Sequence, residues 1–208
     1  HEHISGMKGI QLFNAEDMSE QARERLATLK GGLERTRLLL NQLLAFARAQ
    51  QESTSENGEV SVQHVFRRAL EDLMPLAEAK HIDIGMLTQH DAVLRVREFD
   101  LIALGKNLVH NAIKYTPDGG HIDLSLESVS GKVIIKIMDT GPGIPKAERE
   151  RVFDPFYRVL GNETQGSGLG LSIVKAIAER IGAEIHLDDS KIQKGSPGLC
   201  VSVVFHQK

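Results

Sequence analysis

The sequence predicts an α+β fold, a two-layer sandwich of a mixed, mostly antiparallel sheet with helices on one face, preceded by a long helical segment. Two observations lead to this prediction. From Val60 onward, short runs with alternating apolar residues are interleaved with longer runs in which apolar residues recur every three or four positions. Before the linker, the seam positions from Ala22 to Ala47 follow alternating steps of four and three residues. A mixture of this kind is typical of a helical segment joined to an α+β domain.

Composition argues against several function classes. The 208 residues are 41% hydrophobic and 25% charged, as in ordinary globular proteins of one or two domains. The net charge of −3 gives no sign of nucleic-acid binding. The single cysteine, Cys200, excludes an intramolecular disulfide and fits a reducing, cytoplasmic setting. No run approaches the roughly 18 apolar residues of a membrane span, so we expect no membrane contact by this part of the protein.

Residues 14–52 are predicted to form one long helix with a heptad seam kept over more than three heptads. The seam consists of Ala22, Leu26, Leu29, Leu33, Thr36, Leu40, Leu43 and Ala47. It predicts a homodimer through this helix; the alternative is that the seam packs along the following domain. We therefore divide the chain into a helical dimerisation segment (1–52), a polar linker (53–59) and a second domain (60–208).

The second domain is predicted to contain three helices and six short strands. One helix lies around Val65–Leu76 and ends near Pro75. The next ends near Tyr115, because Pro117 disfavours helical geometry at the residue before it. The last helix covers residues 170–181. Alternating apolar residues place the strands at 82–86, 93–96, 122–126, 133–137, 185–187 and 199–205.

The helix that ends near Tyr115 carries an unusual polar face. Asn107, Asn111 and Lys114 are spaced so that two amides and an ammonium lie on one side of it. Carboxamide oxygens suit a hard cation such as Mg²⁺, and the nearby lysine suits a phosphate. The alternative is an ordinary solvated face.

Two glycine-containing segments are candidates for ligand contact. Asp139 ends a strand and is followed by Gly141 and Gly143, so its carboxylate is placed to accept a hydrogen bond from an exocyclic amine such as that of adenine. The segment Gly166–Leu171 opens the last helix, where free N–H groups attract phosphate. It lacks the Gly-Lys-Ser/Thr ending of a P-loop and the preceding strand of a dinucleotide fingerprint. A linker with a helix cap is the alternative.

Between these segments lies Phe153–Arg158, which holds three aromatic residues. Arg158 is placed to reach a terminal phosphate. For the two phenylalanines we favour local core packing.

Four motifs in this order and spacing resemble the ATP-binding domain of bacterial sensor histidine kinases, whose fold is shared with gyrase, the Hsp90 chaperones and MutL. They are Asn107–Pro117 (NLVHNAIKYTP), Asp139–Ile144 (DTGPGI), Phe153–Arg158 (FDPFYR) and Gly166–Leu171 (GSGLGL). The resemblance covers residues 60–208. The long helix before them looks like part of the dimerisation and phosphotransfer hairpin of these kinases, and we expect that hairpin to be incomplete in this chain.

The resemblance implies a role for each matching residue. Asn111 looks like the Mg²⁺ ligand with Asn107 beside it, Lys114 would hold phosphate and Tyr115 would pack on the adenine. Asp139 would read the adenine amine, while Ile144 forms an apolar wall beside Gly141 and Gly143. The glycines Gly166, Gly168 and Gly170, with Ser167, Leu169 and Leu171 between them, would form the hinge of an ATP lid and contact the phosphates.

Two histidines are candidates for chemistry. His110 precedes the metal-binding asparagine, where related proteins often carry an acidic residue, and would polarise the phosphoacceptor or a water; the alternative is a histidine at an ordinary surface position. His1 begins a segment like the phosphoacceptor motif of these kinases, but Ile4 and Gly6 depart from it. The acceptor is therefore either His1 or absent from this chain, whose first residues also resemble an expression tag.

Three functions compete. The first is an ATP-dependent histidine kinase that phosphorylates a histidine and passes the phosphoryl group to an aspartate of a response-regulator receiver domain. Such a protein would be anchored in the bacterial inner membrane, with this part in the cytoplasm. The second is an ATP-operated conformational machine like gyrase or Hsp90, and the third is a non-catalytic dimerisation module. The intact Asn111, Asp139 and glycines argue against the third.

Overall fold

The computed structural model describes residues 19–50, 57–87, 90–159, 168–192 and 197–206. The chain consists of two compact units, residues 1–41 and residues 42–208. In the described residues no helix is both long enough and apolar enough to cross a membrane.

Helix α1 (Glu20–Gln50) confirms the long N-terminal helix over the described part of the predicted range. Its seam leucines are largely exposed: Leu26 by 44%, Leu29 and Leu33 by 70%, and Leu40 by 56%. Large apolar side chains spaced along one stripe of a helix require a covering surface.

The second unit contains seven strands and three α-helices in the described ranges. They are β1 (Gly58–Ser61), α2 (Val62–Ala79), β2 (Asp83–Met86), β3 (Val93–Val96), α3 (Glu98–Tyr115), β4 (His121–Val129), β5 (Lys132–Asp139), α4 (Gly170–Arg180), β6 (Ala183–Asp189) and β7 (Leu199–His206). Two 3₁₀ turns, Lys146–Glu148 and Arg151–Phe153, lie between β5 and α4.

The main sheet has the strand order β2-β4-β5-β7-β6, in which β2 pairs with β4 in parallel and the other pairs are antiparallel. Strands β1 and β3 form a separate antiparallel pair. The predicted α+β class and its mostly antiparallel sheet are confirmed.

The core lies between the main sheet and the helices. Alternate residues of β5, Val133, Ile135 and Ile137, are buried, whereas their neighbours are partly exposed. They meet an apolar stripe of α3 that includes the fully buried Leu104 and Leu108. Burying one face of each strand fixes the register, since a slip of one residue would turn every side chain over.

Two predicted boundaries are wrong. Strand β1 begins at Gly58, inside the predicted linker, because this short polar segment pairs with β3. Helix α2 does not end near Pro75 but continues to Ala79. Proline lacks an N–H and crowds the preceding turn, yet here the last turn is held by the fully buried Ala77, whose carbonyl accepts N–H groups from Lys80 and Ile82.

A buried ion network ties the start of α3 to the end of α4. Asp100 is only 1% exposed. The Arg97 Nη2 lies 2.5 Å from its Oδ2, and Arg180 donates to its Oδ1. Because a carboxylate out of water is stable only when paired, the three charged side chains act as one unit.

Replacing Asp100 with Ala should leave both arginines without their buried partner. We expect the free energy of unfolding to fall by about 3–5 kcal/mol, the usual effect of breaking a buried pair. Urea denaturation followed by circular dichroism measures it. Asp72→Ala is the matched control, because it removes a carboxylate from an exposed pair with Lys106 and should change stability little. Equal effects of the two variants would contradict a structural role for the network.

Candidate functional site

A cavity of about 330 Å³ lies where the end of α3, the end of β5, the start of α4 and strand β7 meet. Its lining residues are Leu108, Asn111, Ala112, Lys114, Tyr115, Ile137, Asp139, Pro142, Gly143, Ile144, Pro145, Val152, Tyr157, Arg158, Val159, Gly168, Gly170, Leu171, Leu199 and Val201. An apolar cavity with a few polar groups that converge on it is the usual form of a small-molecule site.

The carboxylate of Asp139 is the acidic group of the cavity wall, and its residue is only 5% exposed. Its Oδ1 accepts hydrogen bonds from the N–H groups of Gly141 (2.8 Å) and Leu199 (3.1 Å). Burial raises the pKa of this carboxyl group, and the two hydrogen bonds partly oppose that shift. Among the described residues both N–H donors bind the same oxygen, so Oδ2 is the oxygen that can accept a donor from a ligand.

The last turns of α3 supply the other polar groups: Asn111, Lys114 and Tyr115 all line the cavity. The Lys114 Nζ lies 3.3 Å from the Tyr115 hydroxyl oxygen and 4.8 Å from the centre of its ring. Burial lowers the pKa of Lys114, and the positive charge of Arg158 lowers it further. Two cations that repel each other at a cavity wall favour an anionic ligand.

Gly170 lets the start of α4 approach Asn111 closely. A Cβ at Gly170 would lie 2.5 Å from the Asn111 Oδ1, far inside contact distance. The asparagine amide therefore packs directly against the first residue of α4, where the free N–H groups of the helix are concentrated.

Gly168, two residues before α4, is bonded to the Phe153–Arg158 segment. Its φ is +72°, which favours glycine, and its carbonyl accepts the N–H of Phe156 at 3.0 Å. The predicted core packing of the phenylalanines is wrong for Phe156, which is 62% exposed and itself has a φ of +65°. Phe153 is half-buried, and the Lys175 ammonium lies 5.8 Å from its ring centre.

Two predicted residues of α3 lie outside the cavity wall. The Asn107 amide donates to the Ala103 carbonyl of its own helix at 2.8 Å, which turns it away from the position expected beside Asn111. His110 is partly buried and is not a lining residue. Burial, and then the charge of Lys114, lower the pKa of His110, so its imidazole is neutral at pH 7 and able to accept a proton.

The remaining predicted residues divide into three groups. The first group lines the cavity and consists of Gly143, Ile144, Arg158, Gly168, Gly170 and Leu171. Gly141 and Leu169 are buried behind the wall, Gly141 as the donor to Asp139 and Leu169 in the core. Gly166, Ser167 and His1 lie outside the described residues.

Sequence reasoning missed several wall residues. Nothing in the sequence distinguishes these residues from ordinary apolar positions, and only the fold brings them together at the cavity: Val152, Val159, Leu199 and Val201. Tyr157 lies inside the motif Phe153–Arg158. Its hydroxyl donates to Glu148, and the Arg151 guanidinium lies 4.4 Å from its ring centre. The position of Tyr157 in an aromatic cluster was the available signal.

Arg149 was also missed, although it holds one wall in place. Its Nε donates to the Ile144 carbonyl at 3.1 Å and its Nη1 to the Leu187 carbonyl at 3.0 Å, while Asp189 pairs with its Nη2. This arginine therefore fixes the loop after β5 to strand β6.

Residues 96–208 match the family described as histidine kinase-, DNA gyrase B-, and HSP90-like ATPase. Among curated relatives, the swarming motility regulation sensor protein RssA of Serratia marcescens is 31% identical over 188 residues, which are 89% of this chain and 40% of RssA. The chain thus spans well under half the length of this relative.

Two solved structures illustrate the similarity in fold. The mycobacterial sensor histidine kinase MprB superposes with a TM-score of 0.65 at 28% identity, over 72% of this chain and 97% of that one. Histidine kinase ThkA, solved in complex with the response regulator protein TrrA, gives a TM-score of 0.73 at 22% identity, over 92% of this chain and 53% of that one.

The family match covers more than half of the chain and contains α3, the Asp139 loop and α4, the elements that build the cavity. The chain belongs to the histidine kinase-, DNA gyrase B-, and HSP90-like ATPases and carries the catalytic ATP-binding domain of a two-component sensor histidine kinase.

Proposed function

We propose that this chain binds ATP with Mg²⁺ in the cavity and serves as the catalytic part of a protein histidine kinase that phosphorylates a histidine and passes the phosphoryl group to a response-regulator aspartate. The observation that carries the proposal is the buried Asp139 carboxylate in an apolar wall, with Oδ2 available to a donor. The exocyclic amine of adenine is a donor of the right kind, and the apolar lining suits a flat purine.

Two cations and the N-terminus of α4 would bind the triphosphate. Lys114 and Arg158 place two positive charges at the wall, and Gly168 and Gly170 bring backbone close to the ligand at the start of α4. Burial, and then repulsion from Arg158, lower the pKa of Lys114, and a bound polyanion would relieve the repulsion.

The donor set fits Mg²⁺ held chiefly by the nucleotide. Among the described residues there is no group of three carboxylate, histidine or cysteine ligands for a metal ion. Mg²⁺ typically takes one or two protein oxygens and completes its coordination with phosphate and water. Asn111 would supply the carboxamide oxygen, and the bound metal would neutralise phosphate charge during transfer.

Catalysis by this domain would depend on positioning and charge neutralisation, because phosphoryl transfer asks for little covalent chemistry from the protein. We propose that His110, kept neutral at pH 7 because burial and then the charge of Lys114 lower its pKa, polarises the phosphoacceptor or a water. His1 remains the candidate acceptor within the chain, and the alternative is an acceptor outside it.

The proposed partners are a second copy of the chain and a receiver domain. The exposed seam of α1 supports the first, since apolar side chains exposed at heptad spacing pair with a like helix. The ThkA complex with the response regulator TrrA supports the second. We place this part of the protein in the cytoplasm, attached to an inner-membrane sensor.

Asn111→Ala should abolish the Mg²⁺-dependent part of ATP binding, because it removes the carboxamide that lies at the cavity wall next to α4. Isothermal calorimetry with ATP, with and without Mg²⁺, measures the effect. Asn107→Ala is the matched control: it deletes the same side chain from the same helix, but one that binds its own backbone. A metal-dependent loss in Asn107→Ala as large as that in Asn111→Ala would contradict this assignment.

Asp139→Asn should weaken ATP binding by about 10- to 100-fold, the effect of losing a hydrogen bond to a charged acceptor. Purine riboside triphosphate, which lacks the exocyclic amine, should bind wild type and variant almost equally. Competition calorimetry gives both constants. If the variant still prefers ATP as strongly as the wild type does, Asp139 does not read the amine.

Leu33→Asp combined with Leu40→Asp should convert a dimer into a monomer, because each change places a carboxylate in an apolar interface. Light scattering after size-exclusion chromatography reports the mass. Gln21→Asp with Thr28→Asp adds the same charges to α1 at exposed positions off the seam and should leave the dimer intact. A wild-type chain that is monomeric at high concentration would refute the proposal.

A further inference from the structure

We propose that Lys80, which ends helix α2, is a positioning residue for adenine recognition. Its ammonium group fixes the last turn of α3 and, through that turn, the Gly141–Asp139 hydrogen bond. This inference rests on the proposed ATP site.

The Lys80 ammonium has three N–H donors, and three carbonyls at the end of α3 lie within reach of it. Its Nζ lies 2.9 Å from the Ile113 oxygen, 3.1 Å from the Lys114 oxygen and 2.5 Å from the Thr116 oxygen. Carbonyls in the last turn of a helix lack partners within that helix, and a cation there is favoured by the helix dipole. Lys80 thus caps the helix that carries the polar groups of the site.

Backbone hydrogen bonds hold Lys80 on both sides of its Cα. Its N–H donates to the Ala77 carbonyl at 3.1 Å, and its carbonyl accepts the N–H of Gly119 at 2.8 Å. The turn after α3 is fixed further by the N–H of Asp83, which donates to the Gly120 carbonyl at 3.0 Å. The side chain therefore extends from a fixed point, and its capping contacts hold α3 in one position.

The position of this turn bears directly on Asp139. The carbonyls that Lys80 binds flank Tyr115, whose own carbonyl packs so closely on Gly141 that a Cβ there would lie 2.8 Å from the oxygen. The Gly141 N–H is in turn one of the two donors that orient the Asp139 carboxylate. Any shift of the last turn of α3 therefore changes the space at Gly141 and the orientation of Asp139.

The metal ligand is positioned by a different contact. Asn111 lies one turn earlier in α3 and its amide packs on Gly170 of α4. Loss of the Lys80 contacts should therefore affect recognition of the base more than recognition of the phosphates and metal.

The test is the preference for ATP over purine riboside triphosphate, which lacks the amine that Asp139 would bind. Lys80→Met keeps the length and apolar stem of the side chain but removes every donor, and should weaken ATP binding about tenfold while changing the analogue little. Lys80→Arg keeps a cation with several donors and should restore most of the preference. Lys132→Met, at an exposed position at the start of β5, should bind like wild type.

The controls separate the possible failures. Circular dichroism and thermal unfolding establish that each variant folds. If Lys80→Met does not fold, Lys80→Leu, which also lacks donors, replaces it and must lose the preference that Lys80→Arg keeps. A variant without donors that weakens both triphosphates equally, or neither, overturns the positioning role. A wild-type chain that binds no ATP overturns the proposed function itself.

Discussion

The end of helix α3 is the constraint on which the site depends. The same helix packs Leu104 and Leu108 fully into the core and presents Asn111 and Tyr115 to the cavity. Because a close-packed core allows the helix neither to rotate nor to slide, the core sets the direction of the cavity groups. Helix α3 ends at Tyr115, two residues before Pro117. Polar groups that close the helix end therefore matter as much to the site as those that touch a ligand.

Two buried carboxylates in the described part of the domain, those of Asp100 and Asp139, have opposite environments. Asp100 is paired with arginines on two elements, so its charge is neutralised in the folded protein without any ligand. Asp139 is held only by N–H groups of Gly141 and Leu199 among the described residues, and burial raises its pKa. A carboxylate that is oriented but not neutralised gains from a further donor. Asp100 therefore has a structural role, whereas Asp139 is able to recognise a ligand.

The sequence predicted most elements and the principal cavity groups because helical spacing and strand alternation are local signals. It misjudged Pro75, since only the tertiary burial of Ala77 keeps the last turn of α2 helical. Spacing placed Asn107 beside Asn111, but the rotamer that binds Ala103 is not encoded in spacing. The pairing of Asp100 with Arg180, 80 residues apart, and the wall residue Val201 arise only when distant segments fold together.

The contact between Asn111 and Gly170 links two requirements of the site. A triphosphate with its metal needs a carboxamide oxygen and backbone N–H donors side by side, because Mg²⁺ shares its coordination between protein and phosphate. The absence of a Cβ at Gly170 lets the amide lie against the first turn of α4, where the helix dipole also favours negative charge. A Cβ at this position would press on the Asn111 amide, and that side chain would have to shift away from α4. The Asn111 amide and the first turn of α4 therefore share one corner of the cavity wall, because no Cβ stands between them.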